Sequence, residues 1–264
     1  MIPDDPQERD TYILDAVNAG EAAYAWAPIS HTAGGHTIGL WVFSDALMVP
    51  NGDGPMVRVG MGAALSQQIA DTLDALLLTS QIADLIFIQR SRTATPHTYP
   101  YETIGETSTM VACSAAIDAD LAPQAGTGLG APTGSLDPVG TLASTVGKHW
   151  ILSRKATSAR AVNYGWHVAR GVWSADGTTE TWQGIKVYPC ASLLKATDGT
   201  VPRVIQPPST AHGYDQADNS QTLVLVKRDC IVDAEDADLV DVLADPELCG
   251  LVSCEGTLAA RLPC

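Results

Sequence analysis

Hydrophobic and polar positions alternate with two different periods along this chain, and the period changes mark its predicted elements. Gln7 to Gly20 places Tyr12, Ile13 and Val17 on one side of a helix, with Gly20 suited to its end. Two apolar stretches come next, Ala23 to Ile29 and Thr37 to Phe43. Both suit strands, and Gly34-Gly35 between them suits a hairpin turn. Asn51-Gly52-Asp53-Gly54 is a second turn, ahead of a short strand over Met56 to Val59. Leu65, Ile69, Leu73, Leu76 and Leu77 recur at helical spacing and predict a helix over Ala64 to Leu78. Thr79 or Ser80 then caps a second helix that runs to about Arg92.

Between Thr93 and Thr145 the periodicity fades. The stretch from Ala122 to Gly134 is rich in Gly, Pro and small residues and reads as a loop or linker. Strands are predicted over His149 to Ser153, Ala161 to Val168, Ile185 to Tyr188, Val201 to Gln206 and Thr222 to Val226. The last is apolar at every position from Leu223 to Val226, as a strand buried on both faces would be. A short helix over Asp238 to Ala244 comes after it, and Pro246 opens another. The acidic run Asp233 to Asp238 reads as a solvated turn ahead of the first of these. These elements predict an α+β fold, with N-terminal helices and a β-hairpin packed on a β-rich C-terminal half. The parts are residues 1–92, a loop-rich connector 93–145 and the β-rich 146–264, expected to pack as one unit.

Composition narrows the function classes. Apolar residues make up 45% of the chain and charged residues only 17%, which suits a folded protein rather than a disordered one. The formal charge is −15, so phosphate backbones and anionic lipid would repel it. Neither nucleic-acid binding nor membrane insertion is expected, since the apolar run near Ala75 to Leu78 is too short to span a bilayer. The start, Met1-Ile2-Pro3-Asp4-Asp5-Pro6, has no basic or apolar region of a secretory signal. The expectation is synthesis in a cytoplasm, with release by lysis or carriage in a virion for any role outside. Cys113, Cys190, Cys230, Cys249, Cys254 and Cys264 form no zinc pattern. They read as buried thiols, with a bridge from Cys249 or Cys254 to Cys264 as the sharper alternative.

There is no Gly-x-Ser-x-Gly elbow, no His-Glu-x-x-His helix and no phosphate loop. The polar content of the second half remains. Strand alternation puts Tyr164 and Trp166 on one face, and Asn163, Gly165 and His167 on the other. His212, Asp215, Asp218 and Ser220 share one loop between apolar strands, where binding and catalytic groups tend to sit. Asp218 is close enough in sequence to fix the tautomer of His212, with Ser220 or Tyr164 as the group whose proton is handled. A hydrogen-bonded turn residue is the plainer account of His212, and a structural role that of His167. His31 and His36 flank the hairpin turn; two exposed turn residues are the plainer account and a metal-binding pair the alternative, while His97 and His149 stand in no motif.

Lys148 to Arg154, Asn163-Tyr164-Gly165-Trp166-His167, Val204-Ile205-Gln206-Pro207, His212 and Asp218-x-Ser220 together resemble a family of bacterial and phage proteins. That family shows Tyr-Gly-Trp-His, Ile-Gln-Pro, a lone His and Asp-Tyr-Ser-His-Gly. The likeness covers about Lys148 to Gly256, including Leu243 to Leu248 and Ser253 to Gly256, and more faintly the helices from Ala64 to Arg92. This chain departs from it at Asn219, where the family has Tyr, and at Gln221, where it has His. Some members of the family sit beside peptidoglycan-binding modules, so the resemblance implies cell-wall work. The expected function is a cell-wall hydrolase acting on wall polysaccharide or peptide, with His212, Asp218, Ser220, His167 and Tyr164 as its site. His167 and His212 would serve as acid/base groups or ligands, Asp218 would orient, and Tyr164 would polarise the scissile carbonyl. A non-catalytic virion or surface component is the alternative, and an enzyme with Cys113 or Cys230 as nucleophile a third. Substrate, cofactors, metal content and oligomeric state stay open.

Overall fold

A computed structural model describes residues 1–127, 142–168 and 203–263. The fold is α+β, built on a nine-stranded mixed sheet. Helix α1 (Pro6–Asn18) is opened by Asp5, whose carboxylate accepts from the Gln7 and Glu8 amides, and by Pro6 at its first turn. Strands β1 (Trp26–Ala33) and β2 (His36–Phe43) form the predicted hairpin, in continuous register from Trp26 opposite Phe43 to Ala33 opposite His36. A two-residue pair, β3 (Met48–Val49) and β4 (Val57–Arg58), flanks the Asn51–Gly54 turn.

The leucine run is where the sequence expectation fails. Helix α2 covers only Ala63–Thr72. Asp74 then takes a left-handed φ of 48°, and Ala75–Thr79 is strand β5 rather than helix. All five of its residues are buried. It lies between β8 (Lys148–Leu152), which it pairs in parallel, and β11 (Leu225–Lys227), which it pairs antiparallel. A strand with neighbours on both edges and covered faces needs apolar side chains throughout, and such a run is indistinguishable from a helix by periodicity. Helix α3 (Ser80–Gln89) begins at once, with the Thr79 hydroxyl accepting from the Ile82 amide as predicted.

Strands β6 (Arg92–Thr93) and β7 (Ala143–Ser144) form a short parallel pair. Inside the connector expected to be irregular lies α4 (Thr107–Leu121). Its buried side, Met110, Cys113, Ile117 and Leu121, does follow helical spacing. Ser, Thr and Ala fill the rest of it, so the contrast that reveals an amphipathic helix is weak.

Strands β9 (Val162–Val168) and β10 (Arg203–Ser209) complete one end of the sheet. Strands β12 (Asp229–Val232) and β13 (Glu235–Asp238) complete the other. The order is β10-β9-β8-β5-β11-β2-β12-β13, with β1 also paired to β2. The N-terminal strands are therefore inside the sheet, not packed against a separate one. The acidic run is likewise half turn and half strand: Asp233 and Ala234 have positive φ, and Glu235–Asp238 is the edge strand β13. Asp238 caps α5 (Leu239–Ala244). The expected helix after Pro246 is a single 3-10 turn, Cys249–Leu251. The strand expected over Ile185 to Tyr188 lies outside the described residues. No helix among the described residues is long and apolar enough to cross a membrane.

Candidate functional site

The Asn163–His167 block sits on β9, but not with the alternation an ordinary strand would impose. Gly165 has φ 145° and Trp166 φ 54°. Two successive positive φ values break the pleat and re-aim the side chains beyond it. Tyr164 stands opposite His149 on β8. Trp166 lies across Lys148, whose Nζ is 4.9 Å from its ring centre, so it faces the side of the sheet away from Tyr164. His167 returns to the Tyr164 side. The expected pairing of faces, Tyr164 with Trp166 and Asn163 with His167, is thus exchanged.

On the Tyr164 side the two residues converge on a carboxylate from α3. Tyr164 donates its hydroxyl proton to Asp84 Oδ1 at 2.6 Å, and His167 Nε2 lies 2.7 Å from the same oxygen. Asp84 and Tyr164 are fully buried and His167 is 5% exposed. The imidazole is further held by Phe87, stacked at 5.3 Å, and by Tyr164, edge-on at 5.4 Å. Thr145 fixes the backbone by donating to the His167 carbonyl at 2.6 Å. Asp84 Oδ2 is buried with no hydrogen-bond partner among the described residues. Carboxylate contact through Nε2 places the proton of the neutral ring on that nitrogen. Nδ1 makes no hydrogen bond to a described residue and is left as the basic nitrogen.

Next to this cluster lies His149, 8% exposed, its Nδ1 3.0 Å from the Thr222 carbonyl. Burial pushes its pKa down to about 4, against a smaller upward pull from that carbonyl, and nearby His167 lowers it further. The ring is neutral at ordinary pH and donates from Nδ1.

Asp218 and Ser220 form a second cluster, beside Lys148. Asp218 Oδ1 accepts from the Ser220 amide at 2.8 Å and from its hydroxyl, and Asp218 Oδ2 is 3.4 Å from Lys148 Nζ. The segment is clamped: the Lys148 amide donates to the Ser220 carbonyl at 2.6 Å, and a Cβ on Gly60 would stand 1.8 Å from the Asp218 carbonyl oxygen. Only a glycine lets these two backbones touch. His212 meets none of these groups. Its ring lies edge-on to Trp150 at 6.1 Å, and no hydrogen bond joins it to Asp218. The expected His212–Asp218–Ser220 relay does not form, because the carboxylate is consumed by Ser220 and Lys148. Among the described residues no hydrogen bond joins Asp218 or Ser220 to Tyr164 or His167, whose polar contacts go to Asp84 instead. The Tyr164 hydroxyl, expected to polarise a carbonyl, donates its hydrogen bond to Asp84.

The partner that sequence reasoning missed is Asp84. Its signal was present: a carboxylate inside Ile82-Ala83-Asp84-Leu85-Ile86-Phe87, otherwise apolar. A charge at such a position has to be paired in the fold.

The cysteines divide. Cys113, Cys230 and Cys249 are free and buried. Burial pushes the Cys113 thiol up, and the Cys230 thiol up to about 11. A thiol so placed is a poor thiolate, which counts against either as nucleophile. Cys254 is in a disulfide whose partner lies outside the described residues, so Cys249 is not the bridging residue. Among the described residues no group of His, Cys, Asp and Glu is arranged to hold a metal ion. His36 is paired with Asp233 at 2.6 Å rather than with His31. Compared with protein-family models, curated proteins and solved structures, the chain matches none.

Proposed function

We propose that the protein is a hydrolase of a cell-wall polymer, with His167 as its general base and Asp84 as the group that orients it. The observation that carries this is the 2.7 Å contact between His167 Nε2 and Asp84 Oδ1. It fixes the ring and leaves Nδ1 to take a proton from an attacking water. In amide cleavage the water oxygen would bond to the carbonyl carbon, its proton would pass to Nδ1, and Nδ1 would return a proton to the departing nitrogen. As the ring becomes positive, the Asp84 carboxylate stabilises it. Tyr164, donating to the same oxygen, holds that carboxylate in place. The choice of wall polymer rests on the sequence resemblance, and the Cys254 disulfide supports work in an oxidising compartment.

The burial of Asp84, Tyr164 and His167 favours a second reading, a non-catalytic virion or surface component in which this network only stiffens the sheet. Purified protein incubated with peptidoglycan of several wall types, with release of soluble amines measured, separates the two. The hydrolase reading expects turnover that falls roughly a hundredfold or more in His167→Ala. It expects His212→Ala to retain it. Absence of turnover on every wall type, or an undiminished His167→Ala variant, would leave the non-catalytic reading.

A further inference from the structure

Away from the two polar clusters, the segment after the last 3-10 turn folds over the end of β8 and walls a cavity of about 240 Å³. Leu152, Leu258 and Leu262, all buried, give it an apolar lining. An apolar cavity of roughly 150 Å³ already accommodates benzene, so there is room for a short hydrocarbon group. Among the described residues the charged groups in the lining are two guanidiniums, Arg154 and Arg261.

Arg154 is held in advance. Its Nε donates to the Thr257 carbonyl at 3.2 Å and its Nη2 to the Thr257 hydroxyl at 3.4 Å. The plane of the group lies against Gly256, where a Cβ would come within 3.5 Å of Nη2. Nη1 makes no hydrogen bond to a described residue. Two carboxylates stand nearby, and Glu255 Oε1 is buried with no hydrogen-bond partner among the described residues. Glu255 accepts from the Ser153 hydroxyl and the Arg154 amide, both at 2.9 Å, and Asp71 pairs with Arg261 Nη2 at 2.5 Å.

We propose that this cavity binds a small carboxylate carrying a short apolar group. The carboxylate would meet Arg154 through its open Nη1, and the apolar group would lie on the three leucines. Two sources share that chemistry: a free short-chain fatty acid, and the C-terminus of a peptide ending in an apolar residue. Titration calorimetry on the full chain with hexanoate, hexanamide, acetyl-alanyl-alanine and its C-terminal amide tests the proposal. At least one carboxylate is expected to bind roughly tenfold or more tightly than its own amide, because a charge-assisted pair is lost with the charge. Arg154→Gln is expected to abolish that preference. Should this variant fail to fold, the carboxylate-to-amide ratio in the unaltered protein decides alone. Hexanoate ahead of the dipeptide assigns the site to a free acid, and the reverse order to a peptide terminus. Equal binding of acid and amide in both pairs, or no binding of any probe, overturns the proposal.

Discussion

A single imidazole shows how burial becomes pH dependence in this protein. His149 is enclosed, and its folded pKa is depressed from 6.5 to about 4. The unfolded chain therefore takes up a proton before the folded one does. The contribution is fully present above pH 6.5 and is lost as pH falls toward 4, by up to about 3 kcal/mol. Asparagine can replace the Nδ1 donor toward Thr222 but does not titrate. Urea unfolding of His149→Asn at pH 7 and pH 5 should show a smaller loss between the two than the unaltered protein does. An identical loss would mean that His149 is not the group responsible. The same residue marks the reach of sequence reading: nothing around Lys148-His149-Trp150 says which way the ring points. The neighbouring Asp84 was legible as an oddity, a charge amid apolar residues, but its partners, 80 and 83 positions away, were not.

Elements are joined here by a few buried charges as well as by apolar contact. Arg58 on β4 is 3% exposed. Its Nε and Nη2 grip both oxygens of Asp45 beyond β2, at 2.8 and 2.5 Å, and its Nη1 reaches Asp118 on α4 at 2.8 Å. Burial alone would disfavour the charge, yet the two carboxylates hold the guanidinium above its ordinary value. Its amide also donates to Ser114 on the same helix. This ties α4 to the pair β3–β4. Arg58→Met should cost about 3–5 kcal/mol, since two carboxylates would be left buried or nearly so without their cation. Thermal and urea unfolding measure it, and a cost under about 1 kcal/mol would show that the cluster relaxes into water. The edge of β1 is closed by a different device. The Gln89 side-chain amide accepts from the Ser30 amide at 3.0 Å and donates to its carbonyl at 2.8 Å, standing in for a neighbouring strand. The helices with clear ends were legible, because Asp5, Thr79 and Asp238 act within a few residues of themselves. Helix α4 was not, because small residues blur its stripe.

At the scale of the whole molecule, the sheet interleaves the two halves of the chain. Strand β5 is flanked by β8 and β11, and β2 by β11 and β12. Neither half can present a complete sheet alone, so the protein should unfold in one transition. Far-ultraviolet circular dichroism and tryptophan fluorescence should give coincident urea curves. Two separated transitions would show that the halves are independent units. The same interleaving decides the site, since α3 follows β5 directly and so delivers Asp84 to the face of β9 that carries Tyr164 and His167.

What the sequence alone determined is local: the Gly34-Gly35 hairpin, the capped helices, the acidic charge and the apolar character of the strands. Each depends on backbone preferences or on composition, which neighbouring residues set. The tertiary structure decided that the leucine run is a central strand, that Gly165 and Trp166 exchange the faces of β9, and that His167 answers to Asp84 rather than His212 to Asp218. Those outcomes depend on which distant surfaces cover one another, and burial between residues far apart in the chain leaves little trace in a local pattern.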